Sequence, residues 1–183
     1  KATQTALDII NAYKDKVDGI KVSLLDKERE INMRRRLPAG VRMYTGDDFN
    51  YPELIAGDGV GRETVHQQSD ALLGIFDAIA PTASNALQQL AFGNSKGFIQ
   101  TLEPTLALSR HIFQAPTRFY KTGVVFMAWL NGHQSHFSMV GGQQSARSVQ
   151  HLCDLFVLAD KAGVFINPDQ AHSRMQAYLK VHS

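Results

Sequence analysis

One lysine stands in the middle of an apolar run, Val17-Asp18-Gly19-Ile20-Lys21-Val22-Ser23-Leu24-Leu25. Side chains of a strand alternate between its faces, so Val17, Gly19, Lys21 and Ser23 point one way while Ile20, Val22 and Leu24 point the other. A parallel sheet covered on both faces would take that ammonium out of water and favour its neutral form. A neutral amine is a nucleophile toward ketones and aldehydes. The competing reading is a lysine that carries its charge to solvent along its own stem.

Further along, Gly46-Asp47-Asp48 offers two carboxylates suited to general acid or base work. A glycine followed by two aspartates is also a good turn and helix cap, and at this point the cap is the favoured reading. Gly57-Asp58-Gly59-Val60-Gly61-Arg62 has glycines at alternate positions and ends in a base. It fits neither the dinucleotide nor the P-loop fingerprint and reads as a turn ahead of a phosphate cradle. His133 and His136 lack a third ligand nearby and read as loop histidines, not a metal pair. The single cysteine, Cys153, excludes an internal disulfide. Its helical spacing with Leu152, Leu155 and Phe156 makes it a packed thiol. Trp129, Phe126 and Met127 read as packing residues on a helix.

These side chains need a frame to hold them. The chain has 183 residues, 44% hydrophobic and 20% charged, with a formal net charge of +2. That is globular composition with enough apolar material for a core. Arg34-Arg35-Arg36 is a basic run, but no basic stripe interleaved with aromatics accompanies it, so nucleic acid is not implied. The apolar stretches are too short for a bilayer span and no leader opens the sequence, which suggests a cytoplasmic protein without a membrane partner. A start at Lys1 suggests processing, trimming or a longer parent.

Apolar periodicity predicts a helix over Thr3 to Lys16, leading into the lysine strand. Asp26 caps a second helix with Leu25, Ile31, Met33 and Leu37 on its apolar side, leaving the three arginines as a solvated face. Val41 to Tyr44 reads as a second strand, Tyr51 to Ile55 as a short helix, and Ala71 to Phe76 as a third strand. Helices are then expected over Ala80 to Phe92, Ser95 to Gln114 with a break near Pro104, Arg118 to Leu130, Ser145 to Ala162, and from Asn167-Pro168 to Val181. Alternating strands and helices followed by a helical tail indicate an α/β fold with a parallel sheet, most simply a stretch of a (β/α)8 TIM barrel. Three strands leave open edges where a barrel uses eight, so a companion segment is expected.

In this order the motifs resemble the C-terminal half of the dihydrodipicolinate synthase and N-acetylneuraminate lyase family, including its uncharacterised domain-of-unknown-function branches. Gly19-Ile20-Lys21 with Ser23 resembles the family's sixth strand and its Schiff-base lysine. Gly46-Asp47-Asp48 resembles the motif after its seventh strand. Ala71 to Phe76 with Ala78-Ile79-Ala80-Pro81 resembles the eighth strand and the turn after it. Phe113-Gln114-Ala115-Pro116, then Lys121 to Leu130 with Gly132, resembles its C-terminal helical segment. The likeness runs from about Asp18 to Val164.

It implies the last three βα units of a TIM barrel over residues 1–93 and a helical region over 94–183. It further implies a class I aldolase-type lyase or synthase acting on a 2-oxo acid such as pyruvate, or an aldehyde, without a cofactor or metal. Lys21 would be the nucleophile, with Gly46, Asp47, Asp48 and Leu73 lining the substrate. The partner would be an N-terminal barrel half, as a separate chain or a missing segment, and the whole a homo-oligomer. Departures are Val22 where an acidic or hydroxyl residue often follows the lysine, an apparent insertion over Gly57 to Gln68, and the absence of the family's carboxylate-binding motif and catalytic tyrosine. The chain would then hold the nucleophile without its proton relay. Two alternatives stay open: a non-catalytic half-barrel that completes an assembly or binds a metabolite, and an unrelated barrel enzyme with phosphate at Gly59 to Arg62.

Overall fold

The computed structural model describes residues 1–57 and 67–182. They form a mixed α/β fold with one small parallel sheet and many helices. Two compact units emerge, one made of Lys1–Gly74 with Asn85–Thr101, the other of Ile75–Ser84 with Leu102–Ser183.

In the first unit, α1 (Ala2–Ala12) leads to β1 (Gly19–Val22), α2 (Lys27–Arg34), β2 (Arg42–Thr45), α3 (Tyr51–Ala56) and β3 (Asp70–Ala71). The three strands run parallel in the order β1-β2-β3. Their register aligns Lys21 with Tyr44 and Val22 with Thr45, and Tyr44 with Asp70 and Thr45 with Ala71. The C-terminal ends of all three strands therefore share one rim. One face of the sheet is apolar: Val22 and Met43 join Leu7 and Ile10 of α1 and Met33 of α2 in a core completed by Leu37 and Val41. Asp26 caps α2 as expected, its Oδ1 accepting from Arg29 N at 3.2 Å.

Two expectations are corrected here. The third strand ends at Ala71, and Ile75 and Phe76, expected in it, open the short helix α4 (Ile75–Ala78). A continuous apolar run fits a buried strand and a buried helical turn equally, and Gly74 divides them here. Arg34, expected on a solvated face with Arg35 and Arg36, is 1% exposed. Its neighbours remain exposed.

The remaining helices are α5 (Ala80–Ala91), α6 (Ser95–Leu102), α7 (Leu106–Ile112), α8 (Tyr120–Leu130), α9 (Val149–Lys161) and α10 (Pro168–His182). The break near Pro104 is a 3-10 turn over Glu103–Thr105. In the second unit α8 packs against α7, α9 and α10. Gly123 permits that approach, because a Cβ there would lie 3.1 Å from Leu155 Cδ1 and 3.2 Å from Ile112 Cγ1. Asn167 caps α10, its Oδ1 accepting from Gln170 N at 3.0 Å. No helix among the described residues is long and apolar enough to cross a membrane.

Candidate functional site

The rim of the sheet gathers the residues singled out by the sequence. Lys21 is the third residue of β1, Gly46 directly follows β2, and Leu73 stands two residues beyond β3. Gly46 N donates to Val22 O at 2.6 Å, and Leu72 N donates to Thr45 O at 3.1 Å, so the backbone pairing continues past the strands. A Cβ on Gly46 would fall 2.7 Å from Lys21 Cε and 2.0 Å from Ser23 Oγ. The lysine stem thus lies against the bare backbone of Gly46, and the Ser23 hydroxyl closes the same spot. A side chain there would displace one or both.

Lys21 itself is exposed. The burial expected for a strand lysine is not supplied by the described residues of its unit, because the helices cover only the Val22 and Met43 face. The opposite face carries Lys21, Arg42, Tyr44 and Asp70 in register. Arg42 Nη2 donates to both Asp18 oxygens, at 2.8 and 2.9 Å, and Tyr44 Oη donates to Asp18 Oδ2 at 2.5 Å. The Arg42 guanidinium lies over the Tyr44 ring, 5.1 Å from its centroid, and reaches Asp70 at 3.6 Å. The Tyr44 hydrogen bond, and after it that of Arg42, hold the Asp18 carboxyl below its ordinary range. The same hydrogen bond to Asp18 raises the Tyr44 phenol.

Asp47 and Asp48 are both buried. Asp47 Oδ1 accepts from the backbone N–H of Phe49 at 2.8 Å and of Asn50 at 3.0 Å, and Oδ2 from Asn50 Nδ2 at 2.9 Å. Asp47 is therefore a turn cap leading into α3, the reading the sequence favours. Leu73 is buried, 8% exposed. The glycine loop from Asp58 to Arg62, and with it the phosphate reading, lies outside the described residues.

Beneath the rim is a polar cluster that the sequence reading did not find. Glu30, 1% exposed, accepts from Thr45 Oγ1 at 2.9 Å and from Ser69 Oγ at 2.7 Å. Arg34 Nη1 donates to Ser69 Oγ and to Leu54 O, both at 3.1 Å. Thr45 Oγ1 in turn accepts from Asp47 N at 3.1 Å. Burial raises the Glu30 carboxyl, against the two hydroxyl hydrogen bonds that lower it. The cluster ties α2 to the ends of β2 and β3, and so fixes the strand end from which Gly46 meets Lys21. A signal for it was present: Glu30, Met33, Arg34 and Leu37 follow the i, i+3, i+4, i+7 spacing of a core-facing stripe.

His133 and His136 are exposed. Among the described residues no group of three His, Cys, Asp or Glu side chains comes together as a metal site.

The molecule is thus a mixed α/β protein with a lysine at the C-terminal rim of a small parallel sheet. It belongs to the family described as "Protein of unknown function (DUF993)", whose model matches residues 1–183. No curated protein matches the chain.

Proposed function

We propose that Lys21 is the Schiff-base lysine of a class I aldolase-type lyase or synthase acting on a 2-oxo acid such as pyruvate. This chain then supplies the last three strands and the helical C-terminal region of a (β/α)8 barrel. The observation that carries the reading is the packing of the Lys21 stem against Gly46 at the shared C-terminal rim. Active sites of such barrels lie at that end, and a glycine beside the amine leaves room for a carbonyl carbon to approach it.

In this reading the Lys21 amine adds to the ketone carbon, and loss of the carbonyl oxygen as water leaves an iminium. The iminium accepts the electron pair released when a bond at the neighbouring carbon breaks, and returns it when one forms. Ser23 and the Gly46 backbone border the reacting atoms. Asp47 acts by holding the turn. The Asp18, Arg42 and Tyr44 network gives the lysine face a fixed arrangement of charge. The second barrel half, a separate chain or further sequence, would cover this face and complete the proton relay.

Exposure of Lys21 favours one second reading, a non-catalytic half-barrel in which Lys21 only anchors a carboxylate. Both readings meet in one experiment: intact-mass spectrometry of the natively purified protein, with any companion polypeptide, after 2-oxo acid and borohydride. A covalent adduct that maps to Lys21 and disappears in Lys21→Arg is expected, because a guanidinium stays protonated and forms no imine. A complete, folded assembly that gains no adduct would remove the Schiff-base reading.

A further inference from the structure

The second unit holds a polar cleft of about 390 Å³ where the end of α7 meets the start of α9. His111, Gln114, Arg147, Gln150, His151 and Asp154 are among the residues that line it. Arg147 donates through Nη2 to the carbonyls of Gln114 at 2.6 Å and Pro116 at 3.2 Å, and through Nη1 to that of Ala115 at 3.4 Å. Its Nε is buried and has no partner. Carbonyls satisfy the geometry of this half-buried guanidinium without cancelling its charge, which leaves it free to pair with an anion in the cleft.

His151 is 7% exposed and occupies the first turn of α9, where Ser148 Oγ accepts its backbone N–H at 3.1 Å. Gln114 Nε2 donates to His151 Nδ1 at 2.9 Å, which leaves the ring proton on Nε2. That Nε2 is buried without a partner. The ring stacks on His111 with centroids 4.1 Å apart, and His111 Nε2 donates to His151 O at 2.9 Å. Burial first, then the positive fields of His111 and Arg147, bring its pKa down to about 4, so the ring is a neutral donor at physiological pH. Asp154, the acid of the cleft, is exposed and accepts from Gln150 Nε2 at 2.8 Å.

The cleft therefore combines two unpartnered buried N–H donors, an uncompensated guanidinium and the N-terminal end of a thirteen-residue helix with no acid in its first turn. Each of these is stabilised by the same thing, an acceptor carrying negative charge. We propose that this cleft binds a small oxyanion, a phosphate group or a carboxylate, using Arg147 and His151 as its donors. The proposal rests on residues of the second unit alone and does not depend on the lyase reading.

The test is a titration of the full chain, carrying ¹⁵N-histidine, with inorganic phosphate and then with acetate. The ring signals of His151 and His111 are followed, and sodium chloride at matched ionic strength serves as the reference. Saturable shifts are expected, weakened about tenfold or more in Arg147→Gln by loss of one charged donor. Because Arg147→Gln also releases the 114–116 carbonyls, His151→Phe is the second variant. It keeps a ring on His111, removes the Nε2 donor, and is followed through His111 with the same loss of affinity expected. Saturation by phosphate alone assigns a phosphate ligand, and saturation by acetate as well assigns a carboxylate-sized one. Shifts that merely track ionic strength, no saturation with either anion, or unchanged affinity in both variants would overturn the proposal.

Discussion

Glu30 is the residue whose removal should be felt most at the rim. It is 1% exposed and accepts hydrogen bonds from Thr45 and Ser69, and Ser69 links it to the equally buried Arg34. Glu30→Ala would leave two buried hydroxyls without their acceptor and remove an anion whose field reaches the buried Arg34 guanidinium. Breaking a buried charge network from one side costs about 3–5 kcal/mol, a large part of the roughly 5–15 kcal/mol that holds a domain together. Glu30→Gln keeps the shape and one acceptor oxygen, and should cost about 1–2 kcal/mol. Urea unfolding reads both, with a midpoint lowered by about 1–3 M for the alanine at an ordinary slope.

The pH dependence supplies a second, signed check. Burial raises the Glu30 carboxyl above its ordinary value, so the folded state takes up the proton more readily than the unfolded one. Its contribution is fully present below the unfolded glutamate pKa and is lost as pH rises through the folded one. Wild type should therefore gain stability relative to Glu30→Gln as pH falls through that window. A constant difference between the two proteins, or a wild type that loses ground on acidification, would refute a buried carboxyl raised by desolvation. An alanine variant as stable as wild type would refute the network itself.

Other perturbations test neighbouring parts. Arg34→Lys removes the guanidinium whose Nη1 reaches both Leu54 O and Ser69 Oγ, and should cost about 1–3 kcal/mol in the same unfolding assay. Gly46→Ala places a Cβ 2.0 Å from Ser23 Oγ and 2.7 Å from Lys21 Cε. It should destabilise by about 1–3 kcal/mol and slow borohydride trapping at Lys21, with part of the stability recovered when Ser23→Gly is combined with it. Hydrogen bonds from Tyr44 and Arg42 lower Asp18, so its contribution is present above the ordinary aspartate pKa and is lost as pH falls toward the lowered value. Asp18→Asn should lack that portion of the acid destabilisation in a pH series of unfolding curves.

Much of the frame was legible in the sequence because local patterns fixed it. Asp26 and Asn167 cap helices where their side chains indicated, and the Pro104 break is where proline must interrupt. Lys21 and Gly46 enter together only through the family resemblance, and the register of β1 and β2 is what brings them into contact. What stayed hidden depends on contacts between distant segments. Arg34 looks like one of three surface arginines until Ser69, 35 residues on, provides its partner, although its place on the Met33 and Leu37 stripe marks it as inward facing. His151 shows no clustering in sequence and is paired only when α7 and α9 pack, 37 to 40 residues apart.

The exposed lysine sets the condition under which its chemistry is to be tested. The sheet has helices on its apolar face, while Lys21, Arg42, Tyr44 and Asp70 share a polar face. Parallel sheets are ordinarily covered on both sides, and a nucleophilic lysine needs water excluded around it. If the proposed second barrel half covers this face, it supplies that exclusion, and borohydride trapping of pyruvate at Lys21 should be at least about tenfold faster in the assembly than in this chain alone, the effect of roughly 1.4 kcal/mol on the barrier. Rates compared at equal pyruvate, with the exposed Lys14 as an internal surface reference, separate specific activation from excess reagent. Equal trapping at Lys21 and Lys14 in the complete assembly would make Lys21 an ordinary surface amine and leave the carboxylate anchor as its role.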